Sequence, residues 1–163
     1  IIENCSDEEL NEFYKLYLNV KNNSLALNTF KLPFDLFKQF AISNDWEIQA
    51  LYVLPSFSES FDKKPISVAI THKGIKRFSY LLVGMDYDAN REFEVYRQMM
   101  YRVLMRAKNL GYGDVELGYS SNFEKKKFGA VQVQSCAYMQ VNDNYNLEAL
   151  SAISVSKNKN QRI

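Results

Sequence analysis

The feature that most constrains the fold is a strand, a long amphipathic helix and a second strand that follow one another between Tyr80 and Ala130. The first strand ends in SYLLVGMDYD, the helix reads REFEVYRQMMYRVLMRAKNLGYG, and the second strand reads DVELGYSS. Two strands joined through a helix lie parallel in one sheet, and ligands bind outside the carboxyl ends of such strands. The order therefore predicts that the Gly84–Asp88 loop and the Glu124–Lys127 turn lie near one mouth.

The length of 163 residues predicts one domain, which we expect to span residues 1–153, followed by a polar tail over 154–163. Hydrophobic residues make up 47% of the chain and aromatic residues 14%. This composition excludes a disordered chain and is sufficient for a sizeable core. The chain begins with Ile1, so we expect it to be a piece of a longer polypeptide with further domains.

Charge and cysteine content exclude several kinds of partner. The net charge of +1 gives no basis for binding duplex DNA, which requires an excess of Lys and Arg on one face. His72 is the only histidine, and Cys5 and Cys136 lie far apart, so we expect no metal site. Two isolated cysteines are typical of a reducing compartment, and we expect a cytoplasmic location. The sequence contains no apolar run of about 18 residues that could span a membrane.

Hydrophobic periodicity predicts an α+β domain built on one central mixed sheet. A capping box at Ser6–Glu9 begins the first helix, and Pro33 begins a short second helix. An antiparallel meander follows, and then a helix over Arg91–Leu110 that ends at Gly111. The predicted strands are Trp46–Pro55, Pro65–His72, Lys76–Met85, Val115–Gly118 and Val131–Val141, and the predicted last short helix is Phe123–Phe128.

This order of elements resembles the GNAT acyltransferase fold, and the local sequence resembles its FemAB-like branch, in particular BioF2-like acetyltransferase domains. The resemblance rests on LLVGMDYD, on the helix that carries Tyr96, on DVELGYSS after Gly111, and on the EKKKFGA turn. It implies a mostly antiparallel mixed sheet with helices on both faces, in which two parallel strands splay apart. The splayed pair would be the Phe78–Met85 strand and the Val115–Gly118 strand.

The resemblance also implies a reaction, the direct transfer of an acyl group from acyl-CoA or acetyl-CoA to a small-molecule amine. The amide arm of the donor would pair with the exposed backbone between the splayed strands. The backbone N–H of Leu82, Val83 or Gly84 would stabilise the oxyanion, and Lys125 or Lys126 would bind the donor phosphate. A solvated basic turn explains the same lysine run.

One stretch departs from the pattern of most GNAT enzymes, which hold the coenzyme A diphosphate on a glycine-rich loop before the long helix. The equivalent stretch here, Met85–Arg91, contains no glycine and carries Asp86 and Asp88. Because carboxylates oppose a diphosphate at this position, ordinary acetyl-CoA binding is in doubt. The FemAB-like branch also lacks the glycine signature, so the departure favours that branch.

Two side chains are candidates for proton transfer. Asp86 follows the apolar strand, where a carboxylate could orient or deprotonate an incoming ammonium group. An Asx-type turn between strand and helix explains the same residue, and Asn90 nearby favours that turn. Tyr119 follows the second parallel strand, where its hydroxyl would lie at the mouth. Tyr96 lies on the apolar face of its helix, which is typical of a core residue.

Two other functions remain open. The missing diphosphate loop favours a non-catalytic GNAT-like domain that binds a partner or recognises a substrate within a larger protein. An aminoacyl-tRNA-dependent, FemX-like transferase would require the lysine turn to extend into a basic surface for RNA. The net charge of +1 opposes a broad surface of that kind.

Overall fold

The computed structural model divides the chain into two compact units, residues 1–130 and residues 131–163. In the second unit only residues 131–134, Asp143 and Glu148 are described. Residues 131–134 have no regular secondary structure, and the rest of the strand predicted over Val131–Val141 lies outside the described residues, as does Cys136. The single domain over residues 1–153 stays a prediction. The structure describes residues 1–2, 5–23, 31–54, 56–57, 61, 63–118, 122–134, 143 and 148.

The first unit is an α+β structure around one mixed sheet, as predicted. The sheet has the order β1-β2-β3-β4; β1, β2 and β3 are antiparallel, and β4 runs parallel to β3. In the described part of the chain no helix is long and apolar enough to cross a membrane. The elements are α1 (Asp7–Asn23), α2 (Phe34–Ile42), β1 (Trp46–Tyr52), β2 (Pro65–Lys73), β3 (Phe78–Met85), α3 (Tyr87–Phe93), α4 (Val95–Asn109), β4 (Val115–Glu116) and α5 (Asn122–Lys127).

The capping box predicted at the start of α1 is confirmed. The Ser6 hydroxyl accepts the Glu9 N–H at 3.2 Å, and the Glu9 carboxylate accepts the Ser6 N–H at 3.0 Å. These two bonds satisfy backbone donors that a helix N-terminus otherwise leaves free. The Ser6 N–H and the Ser6 hydroxyl, which both donate to the Glu9 carboxylate at 3.0 Å, hold the pKa of Glu9 below its usual value.

Helices cover both faces of the sheet, because neighbouring residues of a strand point to opposite faces. On one face α1 and α2 contribute Phe13 and Phe37 to a core that includes Ile70 of β2. On the other face α4 contributes Met99 and packs against Ala69, the residue before Ile70. The four large side chains and Ala69 are almost completely buried. The two cores fix α1 and α4 on either side of β3.

A β-bulge interrupts β3 at Leu81. Thr71 pairs with Tyr80 and Ile70 pairs with Leu82, so Leu81 has no partner in β2. Its side chain is 43% exposed although it lies in the apolar run of the strand. A bulge bends its strand and disrupts regular pairing. This bulge lies just beyond the two residues of β3 that pair with β4.

The helix predicted over Arg91–Leu110 is two helices. α3 ends at Phe93, Glu94 adopts a left-handed conformation with φ 49° and ψ 44°, and α4 begins at Val95. Periodicity missed the break because glutamate is a good helix former and the stretch contains neither glycine nor proline. The break turns the chain at the carboxyl end of β3.

Candidate functional site

The parallel strands β3 and β4 pair over only two residues. Phe78 pairs with Val115 and Ser79 pairs with Glu116. Gly118 already has φ 71° and is not part of β4, so the predicted strand over Val115–Gly118 is too long by two residues. Beyond Ser79 the outer edge of β3 has no strand partner in the described part of the chain. The predicted divergence of these two strands is confirmed.

The direction of the backbone amides along β3 follows from one hydrogen bond. The Asp86 N–H donates to the Ile66 carbonyl of β2 at 2.9 Å. N–H directions alternate along an antiparallel strand, so those of Gly84 and Leu82 also face β2. The N–H groups of Val83 and Met85 face the opposite edge, where β4 has ended. Of the three amides predicted to stabilise an oxyanion, Val83 has the orientation that pairs with a ligand in the gap.

A cleft of about 540 Å³ opens beside this free edge. Its volume is typical of small-molecule sites, roughly 300–1,000 Å³. Val20 of α1 and Val83 and Met85 of β3 form an apolar wall, and Arg97 of α4 and Glu124 of α5 lie on the polar wall. The cleft therefore combines apolar surface, free strand amides and charged groups.

Arg97 is the centre of an ion-pair network on the polar wall. Its Nε and Nη2 donate to the Glu124 carboxylate at 2.7 and 3.4 Å, and its Nη1 donates to Glu94 at 2.6 Å. Lys127 donates to the same Glu124 carboxylate at 2.8 Å. The hydrogen bonds from Arg97 and, secondarily, from Lys127 to the Glu124 carboxylate lower the pKa of Glu124 to about 2. Glu124 is therefore ionised at neutral pH and links α5 to the start of α4.

Asp86 begins α3. Its Oδ1 accepts the N–H groups of Asp88 at 2.8 Å and Ala89 at 3.0 Å, so the turn interpretation of this residue is confirmed. Its role in proton transfer stays a prediction. Tyr119, the other predicted catalytic residue, lies outside the described residues, and its role also stays a prediction.

The lysines of α5 have different environments. Lys125 is 6% exposed and donates to the Gly118 carbonyl at 3.0 Å, and burial lowers the pKa of its ammonium group. Lys126 is exposed, whereas Lys127 pairs with Glu124 and lies 4.3 Å from the ring of Phe123. The described residues that line the cleft include none of these lysines. Phosphate binding by Lys125 and Lys126 stays a prediction.

Sequence reasoning did not single out two residues of the cleft, and for a third it favoured a core position over a place in the donor channel. In the sequence, Arg97 occupies a polar position of an amphipathic helix. Its spacing of three residues from Glu94 was the only feature that indicated an ion pair. Asn90 accepts the Tyr96 N–H through Oδ1 at 2.9 Å, which joins α3 to α4. Tyr96, predicted to be core, is half-buried and lines the cleft. All three depend on the break at Glu94.

The hydroxyl of Tyr80 is buried, and no residue in the described ranges forms a hydrogen bond with it. Burial, and secondarily the nearby Tyr96 phenol, raises the pKa of Tyr80 well above its usual value, so the group is neutral. We expect Tyr80→Phe to raise the free energy of unfolding by about 1 kcal/mol, because it removes an unsatisfied buried group. Urea unfolding measures this change. Tyr101→Phe, at a side chain that is 48% exposed, should leave stability unchanged, and a loss of stability only in Tyr80→Phe would contradict the prediction.

The fold is similar to those of two solved acetyltransferases. One is a ribosomal-protein-alanine N-acetyltransferase from Brucella melitensis biovar Abortus 2308, with 11% identity, a TM-score of 0.55, and coverage of 82% of this chain and 94% of that chain. The other is the aminoglycoside acetyltransferase meta-AAC0020 from an uncultured soil metagenomic sample, with 10% identity, a TM-score of 0.57, and coverage of 85% and 93%. At these identities the likeness establishes the fold alone.

The family follows from the sequence. No curated protein sequence matches the chain significantly. The family model described as an acetyltransferase (GNAT) domain, however, matches residues 2–126, which is most of the chain and includes α1 to α4, β1 to β4 and most of α5. The cleft beside β3 lies within the matched residues. The chain therefore belongs to the GNAT acetyltransferase domain family.

Proposed function

We propose that this domain transfers an acyl group directly from an acyl thioester, of the acyl-CoA type, to the amine of a small molecule. Membership of the GNAT family supports acyl transfer to amines in general. The observation that carries the proposal is the end of β3–β4 pairing at Ser79 and Glu116. Beyond it, the β3 edge beside the cleft has no strand partner among the described residues.

In this proposal the outer edge of β3 forms backbone hydrogen bonds with the donor, as it would with an additional strand. The Met85 N–H pairs with an amide oxygen of the donor arm, and the apolar wall that contains Val20 excludes water from the arm. The Val83 N–H donates to the carbonyl oxygen of the thioester, on which negative charge develops during attack. These amides are held in place by the β2–β3 ladder, so no reorganisation is needed when the charge appears.

The chemical step is aminolysis of a thioester. The acceptor ammonium first loses a proton to the solvent. The neutral amine nitrogen then forms a bond to the carbonyl carbon, the C–S bond breaks, the nitrogen releases its second proton to the solvent, and the thiolate gains a proton. We propose Tyr119 as the donor of the proton to the thiolate and Asp86 as a group that orients the incoming ammonium. No covalent intermediate with the protein is required, because the cleft brings amine and thioester together.

A blocking substitution in the cleft tests this function. We expect Val20→Trp to weaken binding of acetyl-pantetheine and acetyl-CoA at least tenfold, because the indole would fill the space beside Val83 and Met85. Isothermal titration calorimetry measures the affinity, and a thermal melt confirms that the variant is folded. Asn11→Trp places the same ring on the exposed side of α1 and should not change the affinity. Unchanged binding by a folded Val20→Trp variant would disprove the proposed site.

Titration with aminoacyl-tRNA beside acetyl-pantetheine distinguishes the alternative donor. A tRNA-dependent transferase would bind aminoacyl-tRNA with a steep dependence on salt concentration and would not bind acetyl-pantetheine. A non-catalytic domain would bind donor or partner without forming the amide. Mass spectrometry of a reaction with a panel of primary amines detects the acylated product.

A further inference from the structure

The backbone amides between β3 and α4 lie at the place where a diphosphate would lie in a GNAT fold. Asp86 Oδ1 already accepts two of them, as described above, and the Asp86 carbonyl accepts the Asn90 N–H at 2.9 Å. At the start of α4 the Glu94 carbonyl accepts the N–H groups of Arg97 at 2.9 Å and Gln98 at 3.2 Å. Asn90 Oδ1 accepts the Tyr96 N–H. A phosphate needs such donors free, and these six N–H groups are used within the protein.

The arginines of the cleft are paired with carboxylates. Arg91 and Arg97 are the two arginines that line the cleft among the described residues. Arg91 is paired with Asp88. Arg97 is paired with Glu94 through one nitrogen and with Glu124 through two others. Because each guanidinium group is already paired with a carboxylate, part of its charge is balanced within the protein, which weakens the attraction of either arginine for a diphosphate.

Protonation does not release Arg97 at neutral pH, because the pKa of Glu124 is about 2. Glu124 is also held by Lys127, so a shift of its side chain would break two ion pairs. By contrast, the β3 edge needs no rearrangement to bind an amide arm. These contacts favour the pantetheine part of a donor over the nucleotide diphosphate of coenzyme A.

We propose that this domain recognises its donor as an acyl-pantetheine thioester and gains little affinity from the nucleotide of coenzyme A. The inference rests on the proposed function and defines its donor class more closely. The shared chemistry is the pantetheine thioester, which free coenzyme A and the phosphopantetheine arm of a carrier protein both present. The two sources differ in the nucleotide, which only coenzyme A carries.

Titration of the chain with acetyl-pantetheine and with acetyl-CoA tests the proposal. We expect their dissociation constants to agree within about threefold, and we expect acetyl-CoA binding to change little between low and moderate salt. Acetyl-CoA that binds at least about thirtyfold more tightly, with a steep salt dependence, would overturn the inference and leave the proposed function intact. Absence of binding by both ligands would overturn the proposed function and the inference together.

Two substitutions test the physical reason. Glu124→Gln removes the carboxylate that pairs with two nitrogens of Arg97 and leaves only the Glu94 pair. We expect it to tighten acetyl-CoA binding about three- to tenfold and to leave acetyl-pantetheine binding unchanged. Glu92→Gln removes the same charge at an exposed position of α3 and should leave both affinities unchanged. A gain that Glu92→Gln shares, or that acetyl-pantetheine shares, would overturn the inference.

Arg97→Gln provides the converse test. If the nucleotide contributes little, this variant keeps acetyl-CoA affinity within about twofold of the original chain. A loss of tenfold or more for acetyl-CoA, with acetyl-pantetheine unchanged, would show that Arg97 binds the diphosphate and would overturn the inference. Thermal melts of Glu124→Gln and Arg97→Gln show whether each variant remains folded.

Discussion

Gly84→Ala is expected to destabilise the protein by about 3 kcal/mol, because the added methyl group has no space. A Cβ at this position would lie 2.4 Å from the Tyr17 nitrogen, 2.6 Å from the Leu16 carbonyl carbon and 2.8 Å from Val68 Cγ1. Two of these atoms belong to the backbone of α1, which cannot move without disturbing the core around Phe13. Urea unfolding measures the loss.

Gly113→Ala is the matched control for Gly84→Ala. A Cβ at Gly113 meets no atom within 4 Å, and we expect a change in stability within about 0.5 kcal/mol. A loss below about 1 kcal/mol in Gly84→Ala would show that α1 can move away from β3. Since Val20 of α1 lines the cleft together with Val83 and Met85, such a movement would also change the shape of the proposed donor site.

Arg106→Met is expected to cost about 2–3 kcal/mol, because it leaves a buried carboxylate with a weaker partner. Glu47 of β1 is 6% exposed. Arg106 of α4 donates to its two oxygens at 2.6 and 3.1 Å, and Lys73 of β2 lies 3.5 Å away. Methionine retains much of the volume of the arginine stem, so the loss reports the charge and hydrogen bonds rather than a cavity.

The effect of Arg106→Met should depend on pH. Burial raises the pKa of Glu47, but the hydrogen bonds and charges of Arg106 and Lys73 outweigh it, so the pKa lies below the ordinary value of 4.5. A carboxylate with a lowered pKa in the folded state stabilises the fold above its unfolded pKa, and this contribution is lost as the pH falls through the folded pKa. The stability difference between the two proteins should therefore be largest near neutral pH and shrink below pH 4.5.

Arg77→Met is the control for the buried pair. Arg77 donates to Asp114 at 2.8 Å, but both side chains are more than half exposed. Exposed ion pairs contribute about 0–1 kcal/mol, so the same substitution should have a small effect here. Equal losses in Arg77→Met and Arg106→Met would contradict the special role of Glu47.

The elements that could be predicted are those determined by neighbours in sequence. The Ser6 capping box, the turn at Asp86 and the stop of the long helix before Gly111 each depend on residues within a few positions of one another. The parallel placement of β4 follows from the helix between it and β3. Family membership was also readable from the sequence, because the motifs at the strand ends are local.

The details of the site depend on residues that are distant in sequence. The bulge at Leu81 depends on the register between β2 and β3, and no local pattern encodes that register. The partners of Arg97 lie on either side of the break at Glu94 and on α5, so the ion-pair network forms only when these elements pack.

The sequence by itself determined the α+β order of elements, the parallel strand pair and the absence of a glycine loop, because each is a property of consecutive residues. Only the tertiary structure decided that Lys125 is buried against Gly118 and that the N–H groups of Val83 and Met85 face the gap. It also decided that the arginines of the cleft are already paired with carboxylates. The reason is physical. Burial, amide direction and ion pairing are set by the atoms that folding brings together, and the chain order does not contain those distances.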